Sequence, residues 1–283
     1  MVRQAHAKQR RAVGEYNRKA RQHNAKVKRE LTQFEQGVNN YNREVRVHNA
    51  RVQTNRRRLA SEIQRLERQQ GAARVQATRS SSLGLYTAFQ QVEAEASHWG
   101  AETSEFVDLA EADAVNSAAA ANALGSGVSP ADATLDNTLG EDLRKVSGDL
   151  DRRWRGALFA LNPENPDAAR HFCTSAREIV TQLIDQNAPD EVVLQAFPDC
   201  ERTRGRPIRR ARINFLLSRH QLGQHSFGQF VDKDVADVLA LFDTFNAGTH
   251  GEAGQFDLPA LLALKERVEG GVRFLSRIVT PAP

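Results

Sequence analysis

Cysteine, aromatic residues and long apolar runs are all scarce in this 283-residue chain, and each scarcity removes a class of protein. Two cysteines, Cys173 and Cys200, give neither a disulfide framework nor the spacing of a zinc or redox motif, which points to a reducing, cytoplasmic setting. No apolar run reaches the roughly 18 residues of a membrane span, and no basic-then-apolar leader opens the chain, so neither a membrane location nor secretion by that route is expected. Alternating β-branched runs are rare, and almost no sheet is expected. There is no Walker-type phosphate loop, no nucleophile elbow, no glycine-rich dinucleotide turn and no acidic strand followed by Glu-x-Lys. No cofactor and no metal is therefore expected.

The residues that are present open with a repeat. The first seventy lack proline and hold only two glycines, Gly14 and Gly37, and they repeat at an offset of 25. Tyr16-Asn17-Arg18 recurs as Tyr41-Asn42-Arg43, and His23-Asn24-Ala25 as His48-Asn49-Ala50; nine of the fifteen positions from Val13 to Val27 are identical. Mostly apolar residues step by three and four through Val13, Tyr16, Ala20, His23, Val27, Leu31, Phe34, Val38, Tyr41, Val45, His48, Val52, Asn55, Leu59, Ile63 and Leu66. That is a coiled-coil seam, and 25 residues are three heptads plus a stutter of four. A helix from about residue 5 to 70 would be on the order of 100 Å long. Its stripe is narrow and needs cover, from a second copy or from later in the chain. His23, His48 and Asn55 fall on the seam, where polar residues fix register.

The charge is asymmetric. Residues 1–80 hold 20 Lys/Arg against 6 Asp/Glu, whereas residues 92–150 hold 12 acids and only Arg144 and Lys145 as bases. The basic rod would lie along phosphates or pair with the acidic middle.

Gly71 to Gly84 reads as a Ser-rich linker or reversal. Helical spacing resumes through Tyr86, Phe89 and Val92, and again from Phe106 to Ala123. Gly125 to Gly140 reads as a second linker, with Asp136 or Asn137 capping the next helix. Amphipathic segments run from Leu143 through Val146, Leu150, Trp154 and Leu158 to Leu161, then, with Asn165 as cap and Pro166 first, through a stripe of Ala169, Cys173, Ala176, Val180, Leu183 and Ile184. Others run from Glu191 to Phe197, from Pro207 to Leu216, from Phe230 to Phe245, and from Leu258 to Ile278. The expected fold is all-α: a coiled-coil rod over 1–70, an acidic helical segment over 85–124, and a helical bundle over 137–280.

Three groups carry possible chemistry. Phe245-Asn246-Ala247-Gly248-Thr249-His250-Gly251 closes the penultimate helix. Asn and Gly there read as ordinary C-cap residues. If the helix continues, Asn246 and His250 share a face, where an imidazole acts as general base on a ribose hydroxyl that the amide orients. Six arginines between Arg202 and Arg212, among them Arg206, Arg209, Arg210 and Arg212, crowd a helix start where acids are preferred. They would fork onto phosphate, or pair with Asp199 and Glu201. Ser175-Ala176-Arg177-Glu178, with Arg170-His171 one to two turns earlier, form the third group, in which Arg177 and Glu178 read as surface pairs.

Trp154-Arg155-Gly156-Ala157-Leu158, Asn162-Pro163-Glu164-Asn165-Pro166, Thr174-Ser175-Ala176-Arg177-Glu178, Gly205-Arg206-Pro207-Ile208-Arg209-Arg210, Phe245 to Gly251 and Leu264-Lys265-Glu266-Arg267-Val268-Glu269 resemble the bacterial predicted PIWI-associating nucleases. That resemblance implies a nuclease linked with defence against phage, working beside proteins of a defence operon. More remotely, a helical bundle ending in Asn-x-x-x-His is similar to the HEPN ribonucleases. That family's motif places an Arg where this chain has Phe245, so the resemblance implies a phosphate-stabilising cation from elsewhere: Arg177, Arg209 or Arg210. Two functions are implied. One is a metal-independent endoribonuclease with catalytic His250, Asn246 and Arg177, with Arg206, Arg209, Arg210 and Arg212 on the substrate. The other is a non-catalytic HEPN-like module that binds RNA, a nucleotide or a partner. RNA is expected over DNA, and a homodimer through the N-terminal helix over a monomer.

Overall fold

The computed structural model describes residues 2–68, 73–96, 104–126, 137–162, 164–220, 225–249, 256 and 258–280. The chain is all-α. Its helices are α1 (Val2–Arg68), α2 (Ala73–Ala96), α3 (Ser104–Ser126), α4 (Gly140–Val146), α5 (Gly148–Ala160), α6 (Ala168–Asn187), α7 (Asp190–Ala196), α8 (Arg209–Ser218), α9 (His225–Thr249) and α10 (Leu258–Val279). The only strands among the described residues are β1 (Arg202–Thr203) and β2 (Arg206–Pro207), paired antiparallel with Arg202 opposite Pro207. None of the described helices is long and apolar enough to cross a membrane.

Two compact units divide the chain, Met1–Thr54 and Asn55–Pro283. The first is helical, and its apolar stripe is open: Tyr16, Leu31, Phe34 and Tyr41 are each more than half exposed. In the second unit, Leu59, Ile63 and Leu66 continue the stripe but are buried. Arg56 meets Glu93 of α2 at 2.6 Å, and Asn122 of α3 donates to the Glu62 carbonyl at 2.9 Å. In this unit α2 packs on α9 and α3, α10 on α3 and α6, and α6 on α5 and α9. Phe274 stands edge-on to Phe227 and Phe230, which are tilted against each other, and Trp154 of α5 stands edge-on to Phe172 of α6 at 5.8 Å.

Four local readings change. Residues 73–84, which read as linker, are the first half of α2. Thr78 and Ser82 are buried there; Thr78 Oγ1 lies 2.9 Å from Thr244 Oγ1 of α9, and Ser82 Oγ lies 2.9 Å from Ser117 Oγ of α3. Hydroxyl residues favour turns when isolated, and here tertiary partners satisfy them inside a helix. The segment from Leu143 to Leu161 is two helices, because Ser147 is extended (φ −160, ψ 131) and its hydroxyl accepts the Asp149 amide. Asn165 does turn the chain, accepting the Asp167 amide, yet α6 starts at Ala168. Pro207 lies in β2 and does not open α8. Arg204 (φ 54) and Gly205 (φ 81) make the two-residue turn with positive φ at both positions that a tight hairpin requires. Asn137 accepts the Gly140 amide at 2.9 Å, but the residue at the cap position of α4 is Leu139, whose side chain makes no capping bond. Part of the second linker, residues 127–136, lies outside the described residues.

Candidate functional site

α6 buries Phe172, Cys173, Ala176, Ile179, Val180, Leu183 and Ile184 along one stripe and turns Arg177 toward α9. Burial pushes the Cys173 thiol well above its ordinary value, so this cysteine is a small core residue. Arg177 Nη2 donates to Asp243 Oδ1 at 2.5 Å, and its guanidinium carbon lies 5.9 Å from the centre of the buried Phe242 ring. Both side chains of the pair are substantially exposed, 44% for Arg177 and 73% for Asp243, which makes the ion pair a weak tether. The aromatic face holds the guanidinium in place without using up its donors. Asn246 follows Asp243 by three residues, one turn along α9. The side chains of residues 245–249 and all of His250 lie outside the described residues.

The arginine cluster divides by partner. Arg206 meets Asp190 at 2.9 Å, Arg209 meets Asp232 at 3.4 Å, and the buried Arg212 pairs with Asp190 and lies 3.7 Å from Asp185. The acids that receive them come from α6, α7 and α9, not from Asp199 and Glu201. Arg210 differs: it is exposed and lines a cavity of about 540 Å³ with Phe197, Cys200, Glu201 and Asn214.

One charged centre was missed. Arg267 of α10 is fully buried, with Nε 2.9 Å from Asp237 Oδ2, Nη2 2.5 Å from Asp234 Oδ1 and Nη1 3.9 Å from Asp113 Oδ1. Burial works against its charge, and the three carboxylates outweigh that, holding the guanidinium above its ordinary value. Burial pushes the Asp113 carboxyl well up, with the Asp234 charge adding to the effect, and burial also raises Asp234. The centre ties α3, α9 and α10 together from inside. A sequence signal existed: Asp234 and Asp237 sit among Val231, Val235 and Val238 on the apolar face of their helix, where a charge needs a buried partner. Nearby, Lys265 and Glu269 form a second buried pair at 2.5 Å. Among the described residues no three His, Cys, Asp or Glu side chains are placed to hold a metal ion.

Residues 143–275, from α4 into α10, match the family model described as predicted pPIWI-associating nuclease. Over those residues, a little under half of the chain, it is similar to that family. The matched region holds Arg177, Asp243 and Asn246, the whole arginine cluster and the Asp234–Asp237–Arg267 centre, while Asp113 reaches it from outside. Comparison with curated proteins and with solved structures gave no match.

Proposed function

We propose that the chain is a metal-independent endoribonuclease of prokaryotic defence against phage. His250 takes the proton of a ribose 2′-hydroxyl, and the oxygen so released forms a bond to the adjacent phosphorus. The bond from phosphorus to the 5′-oxygen breaks, that oxygen takes a proton from water, and a cyclic phosphate end remains. Asn246 orients the hydroxyl, and Arg177 balances the charge that develops on the phosphoryl oxygens.

The observation that carries this reading is the position of Arg177. It supplies, from α6, a cation against the turn of α9 that precedes Asn246, which answers the presence of Phe245 where HEPN-like enzymes have arginine. Its exposed pair with Asp243 costs little to exchange for a phosphate. Further along the substrate, Arg210 meets phosphate first, and Arg206 and Arg209 reinforce it by sharing donors between carboxylate and phosphate, while the buried Arg212 fixes the start of α8 through Ala188 and Asp190. The partners are proteins of a defence operon, in keeping with the family's association with PIWI proteins, and a second copy of the chain covers the open stripe of Met1–Thr54.

Phe245 itself supports a second reading, a non-catalytic module that binds RNA. Incubating total RNA with the protein in EDTA, beside His250→Ala, separates the two. Cleavage by the wild type alone supports the enzyme; retention of intact RNA by both, with salt-sensitive binding, supports the module.

A further inference from the structure

The offset of 25 repeats two faces of the N-terminal helix, and an apolar seam accounts for only one. Val13, Tyr16 and Val27 belong to the stripe. Asn17, Arg18, Arg21 and Asn24 do not: at about 100° per residue they share a face turned roughly a third of the circumference away from it. These four recur unchanged as Asn42, Arg43, Arg46 and Asn49, and all are exposed. Seam packing makes no demand for identity there. Twenty-five residues rise about 37 Å and complete close to seven turns, so both copies of the face point the same way. That separation lies within a few Å of one turn of B-form DNA, about 34–36 Å. Residues 1–54 also carry 13 Lys/Arg against 4 Asp/Glu, the charge balance a polyanion requires.

We propose that this face lies along a B-form DNA duplex, parallel to its axis. Arg18 and Arg21 bind phosphates of one turn, and Arg43 and Arg46 bind the equivalent phosphates of the next. The repeated asparagines donate amide hydrogens to backbone oxygens beside them. Contacts of this kind set position and carry no base preference. DNA binding by this face depends neither on what covers the stripe nor on whether the C-terminal region cuts RNA.

The test is fluorescence anisotropy of the full chain in EDTA, across a salt series. The probes are DNA duplexes of about 10 and about 21 base pairs, one and two turns, and an RNA duplex of the longer length. The longer DNA binds more tightly than its greater number of sites explains, and replacing the four arginines weakens its binding more than that of the RNA. The fourfold variant R18Q/R21Q/R43Q/R46Q lowers the slope of log affinity against log salt by about 3 to 4. R43Q/R46Q alone brings the long duplex down to the affinity of the short one. Glutamine keeps helix propensity close to that of arginine, and circular dichroism verifies the fold. Binding independent of DNA length, or an unchanged salt slope for DNA in the fourfold variant, overturns the proposal, as does an RNA duplex that loses as much affinity as the DNA in that variant. The wild-type length comparison decides it even if the variants fail to fold.

Discussion

Arg177 of α6 and Asp243 of α9, 66 residues apart in sequence, meet at 2.5 Å on the turn that precedes Asn246. Because the pair is exposed, Arg177→Ala should lower stability by no more than about 1 kcal/mol. Its effect on RNA cleavage should be far larger, a loss of roughly 10²–10³ in single-turnover rate, with partial retention in Arg177→Lys. Urea denaturation and rate measurements on the same preparations separate the two effects. A rate loss no greater than the stability loss explains would remove Arg177 from the site.

The Arg267 centre makes the opposite prediction. Its guanidinium is fully buried among three carboxylates, so Arg267→Ala leaves uncompensated charge inside the bundle. The expected cost is about 3–5 kcal/mol, seen as a large drop in the urea midpoint. A cost under about 1 kcal/mol would mean that the centre is hydrated and does not hold the helices.

Asp113 gives this centre a pH signature. Its carboxyl is held above the ordinary value of 3.8, first by burial and then by the Asp234 charge. As pH rises from about 3.8 toward the raised folded value, the folded state keeps a proton that the unfolded state has lost. Stability therefore falls through that window. Asp113→Asn removes this titration, so the variant should gain on the wild type as pH climbs from about 4 toward neutrality. Parallel pH dependences for the two proteins would refute the assignment.

Close approach of α10 to α3 predicts a contrast between two glycines. A Cβ on Gly270 would stand 2.3 Å from Asp113 Oδ1 and 3.0 Å from Asn116 Nδ2, whereas one on Gly156 would meet nothing within 4 Å. Gly270→Ala should cost about 1–3 kcal/mol. Gly156→Ala, inside α5, should stabilise by up to about 1 kcal/mol. Equal shifts in melting temperature would show that the packing at Gly270 relaxes freely.

The helices were legible because their stripes are local. Cys173, Ala176, Val180, Leu183 and Ile184 read as one buried face and are one. Thr78 and Ser82 misled because the hydroxyls that satisfy them belong to Thr244 and Ser117, far along the chain. The Arg267 centre escaped for the same reason, its carboxylates coming from α3 and α9. Of the candidate site, arginine excess and the Asn246 and His250 spacing were visible in the sequence. Which arginines already have carboxylate partners, and that Arg177 stands against Phe242 and Asp243, emerge only from the packing of α6 on α9.

Transesterification with His250 as base leaves its signature in the chemistry of the cut ends. Labelled single-stranded RNA digested in EDTA should yield fragments ending in a cyclic phosphate, with 5′-hydroxyl partners, and His250→Ala should yield none. Fragments with 5′-phosphate ends, cleavage that EDTA abolishes, or equal cleavage by His250→Ala would rule out a metal-independent transesterification with His250 as base.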